Sequence, residues 1–435
     1  MMFSPHNVLL FGMAFTRTSS VHRHGRFGVA DRRHGRSASN RKRAAPLSAE
    51  GSGDGHGCSD SDVPPPSPSQ AELDVLRLAQ SHFASQALLA ILRLGVLDVL
   101  DCDHQRANSV DEILTKLHSR ANHDAITINR DALFRCLRLI CTTGVVDETT
   151  KSGGGGNGGE PAYFRTEMGN LLASGSDGAS MAPFFLHWAE SPLWDAWSKL
   201  EDYVAGDDMP PFDREHGMSA SEFYKNNPDS CSHRNAVARY GSSNEISSIL
   251  DSMQSSSVLN ESNLAGKVIV DVGGGYGDLM HAVKKAMPGV GECHCLDLPH
   301  VIADASSAQS TMDRAFLVPG DMFDPSTIPP CDLIFSKHVL CDFSDGDVIR
   351  ALRSFHGATS KEGRVVVMDA VLPNGDELNG KWNAAVSFDV LLMLTGRRGE
   401  RSRHEWANLA EKAGFVLEVV LPSSVTVDLA ILSKA

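Results

Sequence analysis

Two acidic residues that follow apolar, strand-like runs of the sequence are spaced as in a nucleoside-binding site. Asp271 stands directly after the run 268–270 and opens a turn with glycine at positions 273, 275 and 277. Asp297 ends the next such run, twenty residues beyond Gly277. Bare glycine backbone lets a ligand lie close, and a carboxylate at a second strand end accepts hydrogen bonds from ribose hydroxyls. These two patterns predict a nucleoside site at the carboxyl ends of a parallel sheet.

The three glycines have separate predicted roles. Gly273 allows a tight turn, Gly275 allows close approach of a ligand, and Gly277 allows close packing of the following helix. Alone, the pattern suits a dinucleotide equally well, or a glycine-rich turn without a ligand. Asp321 and Met322 separate these alternatives, because a carboxylate that accepts from an adenine amine, beside a thioether that packs on the ring, indicates adenosine.

A thiol, Cys341, lies in a third polar stretch, shortly after the apolar run 333–335. The run predicts a fourth strand, and Ser344 is predicted to cap a helix through the backbone of residue 347. With a strand period of two, Lys337 and Cys341 share one face while His338 points to the other. His338 is therefore predicted to be a packed histidine, or one that supports the site without contacting substrate, and no substitute for a catalytic base.

The elements that position these residues are those of a doubly wound α/β sheet. Residues 363–369 predict a fifth strand and residues 404–413 an amphipathic helix. Residues 415–421 and 427–432 predict a closing antiparallel pair. The chemistry-bearing residues are thus expected at the carboxyl edge of a mostly parallel sheet.

The N-terminal half has a different pattern. Residues 71–143 predict helices, and two short strands at 145–149 and 163–166 predict a hairpin across a glycine-rich tract at 152–159. Helices followed by a hairpin are typical of a winged helix, which raises a DNA-binding alternative. The predicted recognition helix, 129–143, carries three arginines against one aspartate, too little charge to outweigh an acidic chain. No nucleic-acid partner is expected.

Length and composition limit the number of domains and the class of protein. The chain has 435 residues, of which 42% are hydrophobic, enough for two packed domains and unstructured appendages. No apolar run approaches the ~20 residues of a membrane-spanning helix, so no membrane association is expected. Nine cysteines without close, even spacing indicate reduced thiols. Cys293 and Cys295 lack a second ligand pair, which favours core packing over metal binding.

Charge is concentrated at the N-terminus. Residues 1–49 carry nine Lys or Arg against one acid, a balance of +8, which leaves −22 for the rest of a chain whose net charge is −14. This Arg- and Ser-rich composition matches a transit peptide for a plastid or mitochondrion. The alternative is a disordered basic tail on a cytoplasmic protein. Residues 50–70, rich in Gly, Ser and Pro, predict a linker.

From about residue 71 to the C-terminus, the chain resembles the small-molecule O-methyltransferases of the plant caffeate/flavonoid type and the hydroxyindole type, which use S-adenosylmethionine. The motifs lie at 270–277, 296–302, 320–323, 337–345 and 399–406. The resemblance implies a Rossmann-like class I methyltransferase sheet and an N-terminal, mainly α winged-helix domain that forms a homodimer. The predicted cofactor contacts are Asp271, Gly273, Gly275, Gly277, Asp297, Leu298, Asp321, Met322 and Lys337.

One position departs from the family pattern. Members that methylate phenols carry a histidine where this chain has Cys341, and the resemblance places two acids, Asp369 and Glu400, beside it. A thiol titrates near ~8.5, and neighbouring carboxylates raise its pKa further, so Cys341 is a poor base. We expect an acceptor more acidic than a simple phenol, or Glu400 or Asp342 as the base. The predicted catalytic set is these four residues, without a metal.

The predicted function is transfer of the methyl group of S-adenosylmethionine to an oxygen of a small aromatic metabolite, such as a phenol, a hydroxyindole or a related acidic hydroxyl. The alternative is a relative that binds the cofactor as a scaffold or promotes another reaction. By resemblance, Trp188, Trp194, Phe223 and Val237 are candidate acceptor contacts. The predicted domains are a basic arm (1–49), a linker (50–70), a winged-helix dimerisation domain (71–177), a helical bridge that lines the acceptor site (178–255) and a methyltransferase domain (256–435).

Overall fold

The computed structural model describes residues 68–120, 127–151, 159–174, 180–307, 316–378 and 383–435. The predicted arm at 1–49, residues 50–67 of the predicted linker and the glycine tract at 152–158 lie outside these ranges. Residues 82–435 belong to one compact unit, and residues 68–81, which begin the first helix, belong to a second. Across the described ranges, no helix is long and apolar enough to cross a membrane.

The N-terminal domain combines helices with a small antiparallel sheet. Its elements are α1 (Gln70–Arg93), α2 (Val96–Val99), β1 (Asn108–Ser109), α3 (Val110–Arg120), α4 (Arg130–Cys141), β2 (Val146–Lys151), β3 (Glu160–Arg165) and α5 (Glu167–Leu172). The strand order is β1-β3-β2, so the predicted hairpin gains a third strand. Polar caps begin two helices: Ser109 and Glu112 exchange backbone-to-side-chain bonds, and Asn129 accepts from the Ala132 amide. The predicted winged-helix arrangement is confirmed.

Short helices separated by prolines follow. They are α6 (Ala182–Ala189), α7 (Leu193–Ala196), α8 (Leu200–Val204), α9 (Pro211–His216) and α10 (Ala220–Asn226), before the long α11 (Pro228–Ser255). Pro211 and Pro228 occupy first helical positions, where the missing N–H costs nothing, and Ser219 forms a capping box with Glu222. Pro192, between α6 and α7, accounts for one division of the aromatic run near residue 194.

The C-terminal domain is a seven-stranded sheet with helices on both faces. Its strands are β4 (Ile269–Val272), β5 (Cys293–Asp297), β6 (Leu317–Pro319), β7 (Cys331–Lys337), β8 (Thr359–Asp369), β11 (Phe415–Pro422) and β12 (Asp428–Lys434). Its helices are α12 (Glu261–Leu264), α13 (Asp278–Ala286), α14 (Pro299–Ser307), α15 (Asp345–Ala358), α16 (Gly375–Leu378), α17 (Ala384–Leu394) and α18 (Arg403–Lys412).

The strand order is β11-β12-β8-β7-β4-β5-β6. The five strands from β4 to β8 are parallel, and β12 pairs antiparallel with both β8 and β11. All four residues of β4 are buried, because apolar clusters cover both faces of the sheet. The predicted doubly wound α/β sheet with its closing antiparallel pair is confirmed.

A two-residue parallel ladder joins the chain just beyond β8 to the chain before α18. Its strands are β9 (Val371–Leu372) and β10 (Arg401–Ser402). Val371 pairs with Arg401 and Leu372 with Ser402. Glu400 immediately precedes β10, and Asp369, the last residue of β8, lies two residues before β9. The ladder therefore brings two acids from separate parts of the sequence to the same place at the edge of the sheet.

Candidate active site

The glycine turn at the end of β4 packs closely on one side and is open on the other. Gly273 has φ +77°, and a Cβ there would lie 2.4 Å from Val339 Cγ2. A Cβ at Gly274 would lie 2.6 Å from Asp271 Oδ2. Gly275 has φ +59° and nothing within 4 Å of its Cβ position. The turn thus presents bare backbone to open space at Gly275, as the sequence predicts for a ligand-binding turn.

Asp297, at the end of β5, holds this turn in place. Its Oδ2 accepts from the Gly275 amide at 2.9 Å, and its Oδ1 accepts from the Leu298 amide at 2.7 Å. Burial raises the pKa of the Asp297 carboxyl, although both backbone bonds oppose this. A carboxylate oxygen has more than one acceptor position, so both oxygens can still accept from ribose hydroxyls. Leu298 contributes to this site through its backbone amide, which donates to Asp297.

Asp271, which the sequence also predicts as a cofactor contact, lies beneath the turn. It is 2% exposed, and its Oδ1 has no hydrogen-bond partner among the described residues. Burial raises the pKa of Asp271 to about 7, with the charge of Lys337 opposing the shift. Asp271 is therefore a buried acid near its titration point at neutral pH, directly under the open backbone.

The third predicted pair, Asp321 and Met322, follows β6. Asp321 is exposed, and its Oδ1 accepts from the Phe323 amide at 2.9 Å. Met322 is buried in the same apolar cluster as Val339, which also packs against Gly273. Val339 thus packs in the cluster with Met322 and also against Gly273. This places the turn after β6 near the glycine turn, as expected if the two turns contact one ligand.

His338 does not point away from Lys337, as the strand period predicts. Lys337 Nζ lies 3.2 Å from Glu245 Oε2, and His338 Nε2 lies 3.1 Å from Glu245 Oε1, so both side chains reach one carboxylate on α11. Strand β7 ends at Lys337, and His338 has φ +54°, which breaks the period-two alternation. Thr426 Oγ1 also donates to Glu245, at 2.7 Å.

Glu245 is 8% exposed and is more buried than Lys337, His338 and Thr426, which surround its carboxylate. Burial favours its neutral form, but the charges of His338 and Lys337 and the hydrogen bonds outweigh burial, so the pKa of Glu245 lies well below its ordinary range. Sequence reasoning missed Glu245 because its partners lie more than 90 residues away along the chain. A lone acid on a long helix carries no local signal of this role.

Cys341 lies between the two acids that the resemblance places beside it. Its Sγ and one carboxylate oxygen each of Asp369 and Glu400 lie within 4.8 Å of one another, and all three residues are buried. Cys341 belongs to a 3-10 turn, Leu340–Asp342, between β7 and α15. Gly399, with φ +101°, donates its amide to the Cys341 carbonyl at 3.1 Å. The predicted catalytic grouping of these three residues therefore exists in the structure.

The electrostatics of this grouping disfavour a thiolate. Burial raises the pKa of the Cys341 thiol well above its ordinary value, and the charges of Asp369, Asp342 and Glu400 add to the increase. Burial also raises the pKa of Asp369 and that of Glu400, and the charge of Asp369 adds to the increase at Glu400. Asp342 is placed differently, with its Oδ1 3.2 Å from Arg397 Nε.

Arg401 holds the turn that carries Cys341. It is fully buried and donates to the Leu340 carbonyl at 2.9 Å, the Phe343 carbonyl at 2.7 Å and Asp345 Oδ1 at 2.9 Å. Its guanidinium also lies 5.2 Å from the ring centroid of Trp406. These contacts indicate structural roles for Arg401 and Trp406. The Glu400 amide is held in turn by Asp389 Oδ1 at 2.8 Å.

The candidate acceptor contacts lie on the bridging helices. Trp188 packs edge-on against Phe388 of α17, with ring centroids 5.4 Å apart. Phe223 packs against Phe212, and both Phe223 and Trp188 border an apolar cluster that includes Leu394 at the end of α17. Trp194 and Val237 are half-buried. Because α17 leads directly to the loop with Glu400, Trp188 and Phe223 are connected by packing to the catalytic side of the site.

Comparison with known proteins matches both domains. Residues 197–416 match the O-methyltransferase domain, and residues 76–175 match the O-methyltransferase dimerisation domain. Caffeic acid 3-O-methyltransferase of Catharanthus roseus is 30% identical, over 80% of this chain and 90% of that protein. Nicotinate N-methyltransferase 1 of Glycine max is 28% identical, over 80% of this chain and 92% of that protein.

Among solved structures, human N-acetylserotonin methyltransferase in complex with SAM shares the fold, with a TM-score of 0.63, 20% identity and coverage of 85% of this chain and 98% of that one. Three observations indicate the same family. They are the strand order of the sheet, the glycine turn held by Asp297 and the two domain matches. The chain belongs to the family of S-adenosylmethionine-dependent O-methyltransferases.

Proposed function

We propose that this protein transfers the methyl group of S-adenosylmethionine to a readily ionised hydroxyl of a small aromatic metabolite. The observation that carries the proposal is Cys341, which lies within 4.8 Å of Asp369 and Glu400 where phenol-methylating relatives place a histidine. The acids match the family arrangement, whereas the imidazole is missing. An acceptor that ionises without a strong base suits this site.

The residues at the glycine turn fit the cofactor. Open space over Gly275, the accepting oxygens of Asp297 and the buried, unpartnered Asp271 Oδ1 suit a ligand with ribose hydroxyls and an ammonium group. Asp321 and Met322 are proposed to contact the adenine, and Lys337 is proposed to lie near the cofactor while it is bound to Glu245. When bound, the sulfonium supplies an electrophilic methyl group.

The protein accelerates the reaction mainly by aligning the methyl donor with the acceptor. General-base assistance is worth about 10²–10⁴ in rate, whereas correct alignment of two reactants supplies about 7–11 kcal/mol. Loss of the base therefore slows the reaction on weakly acidic hydroxyls without removing the larger effect of alignment. Buried Cys341 excludes water beside the acceptor and provides no proton acceptor of its own.

A panel of hydroxyaromatic acceptors of graded acidity tests this proposal. Purified protein is incubated with S-adenosylmethionine, and methylated product and S-adenosylhomocysteine are both measured by mass spectrometry. We expect the rate to fall steeply as the acceptor pKa rises. Equal rates across the panel contradict the acidic-acceptor proposal, and no product with any acceptor, despite cofactor binding, supports the non-methylating alternative.

Two substitutions at one position provide the matched test. Cys341→His restores an imidazole next to Asp369 and Glu400, and we expect about 10²-fold faster methylation of weakly acidic phenols with little change for acidic ones. Cys341→Ser restores no base and is expected to leave the preference for acidic acceptors unchanged. If both variants gain equally on weakly acidic phenols, removal of the thiol and not a new base is responsible.

A second candidate function is methylation of an acceptor lone pair that carries no proton, such as a pyridine-type nitrogen. The missing base favours it, and one relative is named a nicotinate N-methyltransferase. Pyridine carboxylates added to the same panel distinguish the two candidates. N-methyl products without O-methyl products favour this second function.

We further propose that the protein acts as a homodimer. The match of residues 76–175 to the family dimerisation domain supports this. Light scattering coupled to size-exclusion chromatography tests it, with twice the chain mass expected and a single-chain mass contradicting the proposal.

A further inference from the structure

The cluster around Cys341 contains more acceptor atoms than the surrounding protein satisfies. Asp369 is 1% exposed, and neither of its carboxylate oxygens has a side-chain partner in the described part of the chain. Glu400 is 4% exposed, and its Oε2 is likewise unpartnered. Buried polar atoms are normally hydrogen-bonded, because leaving one unpaired costs about 1–3 kcal/mol. Three such oxygens beside one thiol point to a missing partner.

The nearby cations do not fill this gap. Arg401 directs its N–H groups to the carbonyls of Leu340 and Phe343 and to Asp345. Arg397 lies against Asp342. His338 is turned to Glu245. The charges of His338 and Arg401 act on Asp369, but the side-chain hydrogen bonds given above for these cations go to other acceptors.

We propose that Cys341, Asp369 and Glu400 form a binding site for a divalent metal ion, with Zn²⁺ as the best match. A thiolate and two carboxylates are ligands that Zn²⁺ accepts together, and three protein ligands with an open fourth position are typical of a reactive zinc site. This differs from the sequence expectation of no metal, which considered only Cys293 and Cys295.

The geometry is close to that of a zinc site. Ligand atoms at about 2.0–2.3 Å from a tetrahedral ion lie about 3–4 Å from one another. The three atoms here lie within 4.8 Å, so small side-chain rotations close the set. The ladder between β9 and β10 fixes the backbone of both acids, and Gly399 binds the Cys341 carbonyl. The backbone is therefore already arranged, and the side chains alone must adjust.

The inference rests on the proposed function for its role in the reaction. A bound ion with an open position can hold the acceptor oxygen and favour its ionised form, with the proton released to water. The metal would then supply what the missing imidazole does not. Nearby Asp342 is excluded as a ligand here because Arg397 lies beside it.

Metal binding is tested on the full chain without any acceptor. Protein purified without chelators is analysed for bound metal by inductively coupled plasma mass spectrometry, and chelator-treated protein is titrated with Co²⁺. We expect about one Zn²⁺ per chain and a near-ultraviolet thiolate-to-Co²⁺ absorption band. No binding of Zn²⁺ or Co²⁺ at micromolar concentrations overturns the proposal.

Matched variants assign the ligands. Cys341→Ser is expected to abolish the absorption band, whereas Cys331→Ser, which alters another buried cysteine near the opposite end of β7, is expected to keep it. Glu400→Gln is expected to weaken Co²⁺ binding at least tenfold and provides a second test if Cys341→Ser does not fold. A band that survives in folded Cys341→Ser contradicts the site.

Activity separates this inference from the proposed function. If neither Zn²⁺ nor Co²⁺ binds but acceptors are methylated, the metal site fails and the proposed function stands. If one metal binds per chain but no acceptor is methylated, the metal site stands and the proposed function fails.

Discussion

His338 Nε2 lies 3.1 Å from Glu245 Oε1, which connects the end of β7 to the middle of α11 across 93 residues of sequence. The neighbouring Lys337 binds the other oxygen of the same carboxylate. Glu245 therefore fixes the backbone that leads from the cofactor-binding strand ends to the turn with Cys341. A single helix residue positions two consecutive residues of the catalytic domain.

Glu245→Gln is expected to destabilise the fold by about 3–5 kcal/mol, because it leaves the buried Lys337 and His338 without their counter-charge. Urea unfolding at pH 7 measures this. Glu418→Gln is the control: Glu418 pairs with Arg364, both about one third exposed, and its loss is expected to cost at most ~1 kcal/mol. Equal effects of the two substitutions contradict the prediction.

The same residue has a pH signature. The fold lowers the pKa of Glu245, so its contribution to stability is complete above the ordinary carboxyl pKa of 4.5 and is lost as the pH falls. Wild type is therefore expected to lose more stability than Glu245→Gln between pH 5 and pH 3. Parallel stability curves for the two proteins contradict this assignment.

Gly273→Ala is expected to weaken binding of S-adenosylmethionine at least tenfold and to destabilise the fold by more than 2 kcal/mol. The added Cβ combines a positive φ with a contact 2.4 Å from Val339. Gly144→Ala is a matched control, because Gly144 has the same φ of +77° and no atom within 4 Å of its Cβ position. Calorimetric titration and urea unfolding of both variants separate the backbone effect from the contact.

Asp271→Asn is expected to make stability less dependent on pH. Because the fold raises the pKa of Asp271 from 3.8 to about 7, wild type loses stability as the pH rises through this interval and no further above it. The variant should therefore gain relative to wild type by up to roughly 4 kcal/mol between pH 4 and pH 8. Urea unfolding at several pH values measures this gain. Identical curves would show that Asp271 titrates normally.

Arg401→Lys is expected to destabilise the fold by about 2 kcal/mol or more and to expose Cys341. Lysine keeps the charge but cannot donate to the Leu340 and Phe343 carbonyls and Asp345 at once. Alkylation of Cys341, followed by peptide mass spectrometry, should be faster than in wild type. Arg364→Lys, at an ion pair that is about one third exposed, is the control and should leave alkylation unchanged.

The sequence patterns that rest on local physics predicted the fold well. Apolar runs placed the strands that end at Asp271 and Asp297, and a capping serine placed the start of α15 at Ser344. The glycine turn adopted the positive φ angles that its composition requires. These features depend on neighbours in sequence, which is why a single chain reveals them.

Features that depend on distant partners escaped prediction. The period-two argument failed at His338 because the strand ends one residue earlier. Glu245 and Asp389 act on residues that lie elsewhere in the chain, and the two-residue ladder of β9 and β10 has no alternating pattern to detect. The family resemblance supplied the pairing of Asp369 with Glu400, which neither spacing nor composition indicates.

The ladder between β9 and β10 also bears on how this enzyme can change over evolutionary time. It joins the chain segments that follow Asp369 and Glu400 through backbone hydrogen bonds, which do not depend on the side chain at position 341. A lineage can therefore exchange the residue at 341 without rebuilding the rest of the site. Within an unchanged scaffold, this one position can determine which acceptors descendants of the protein accept.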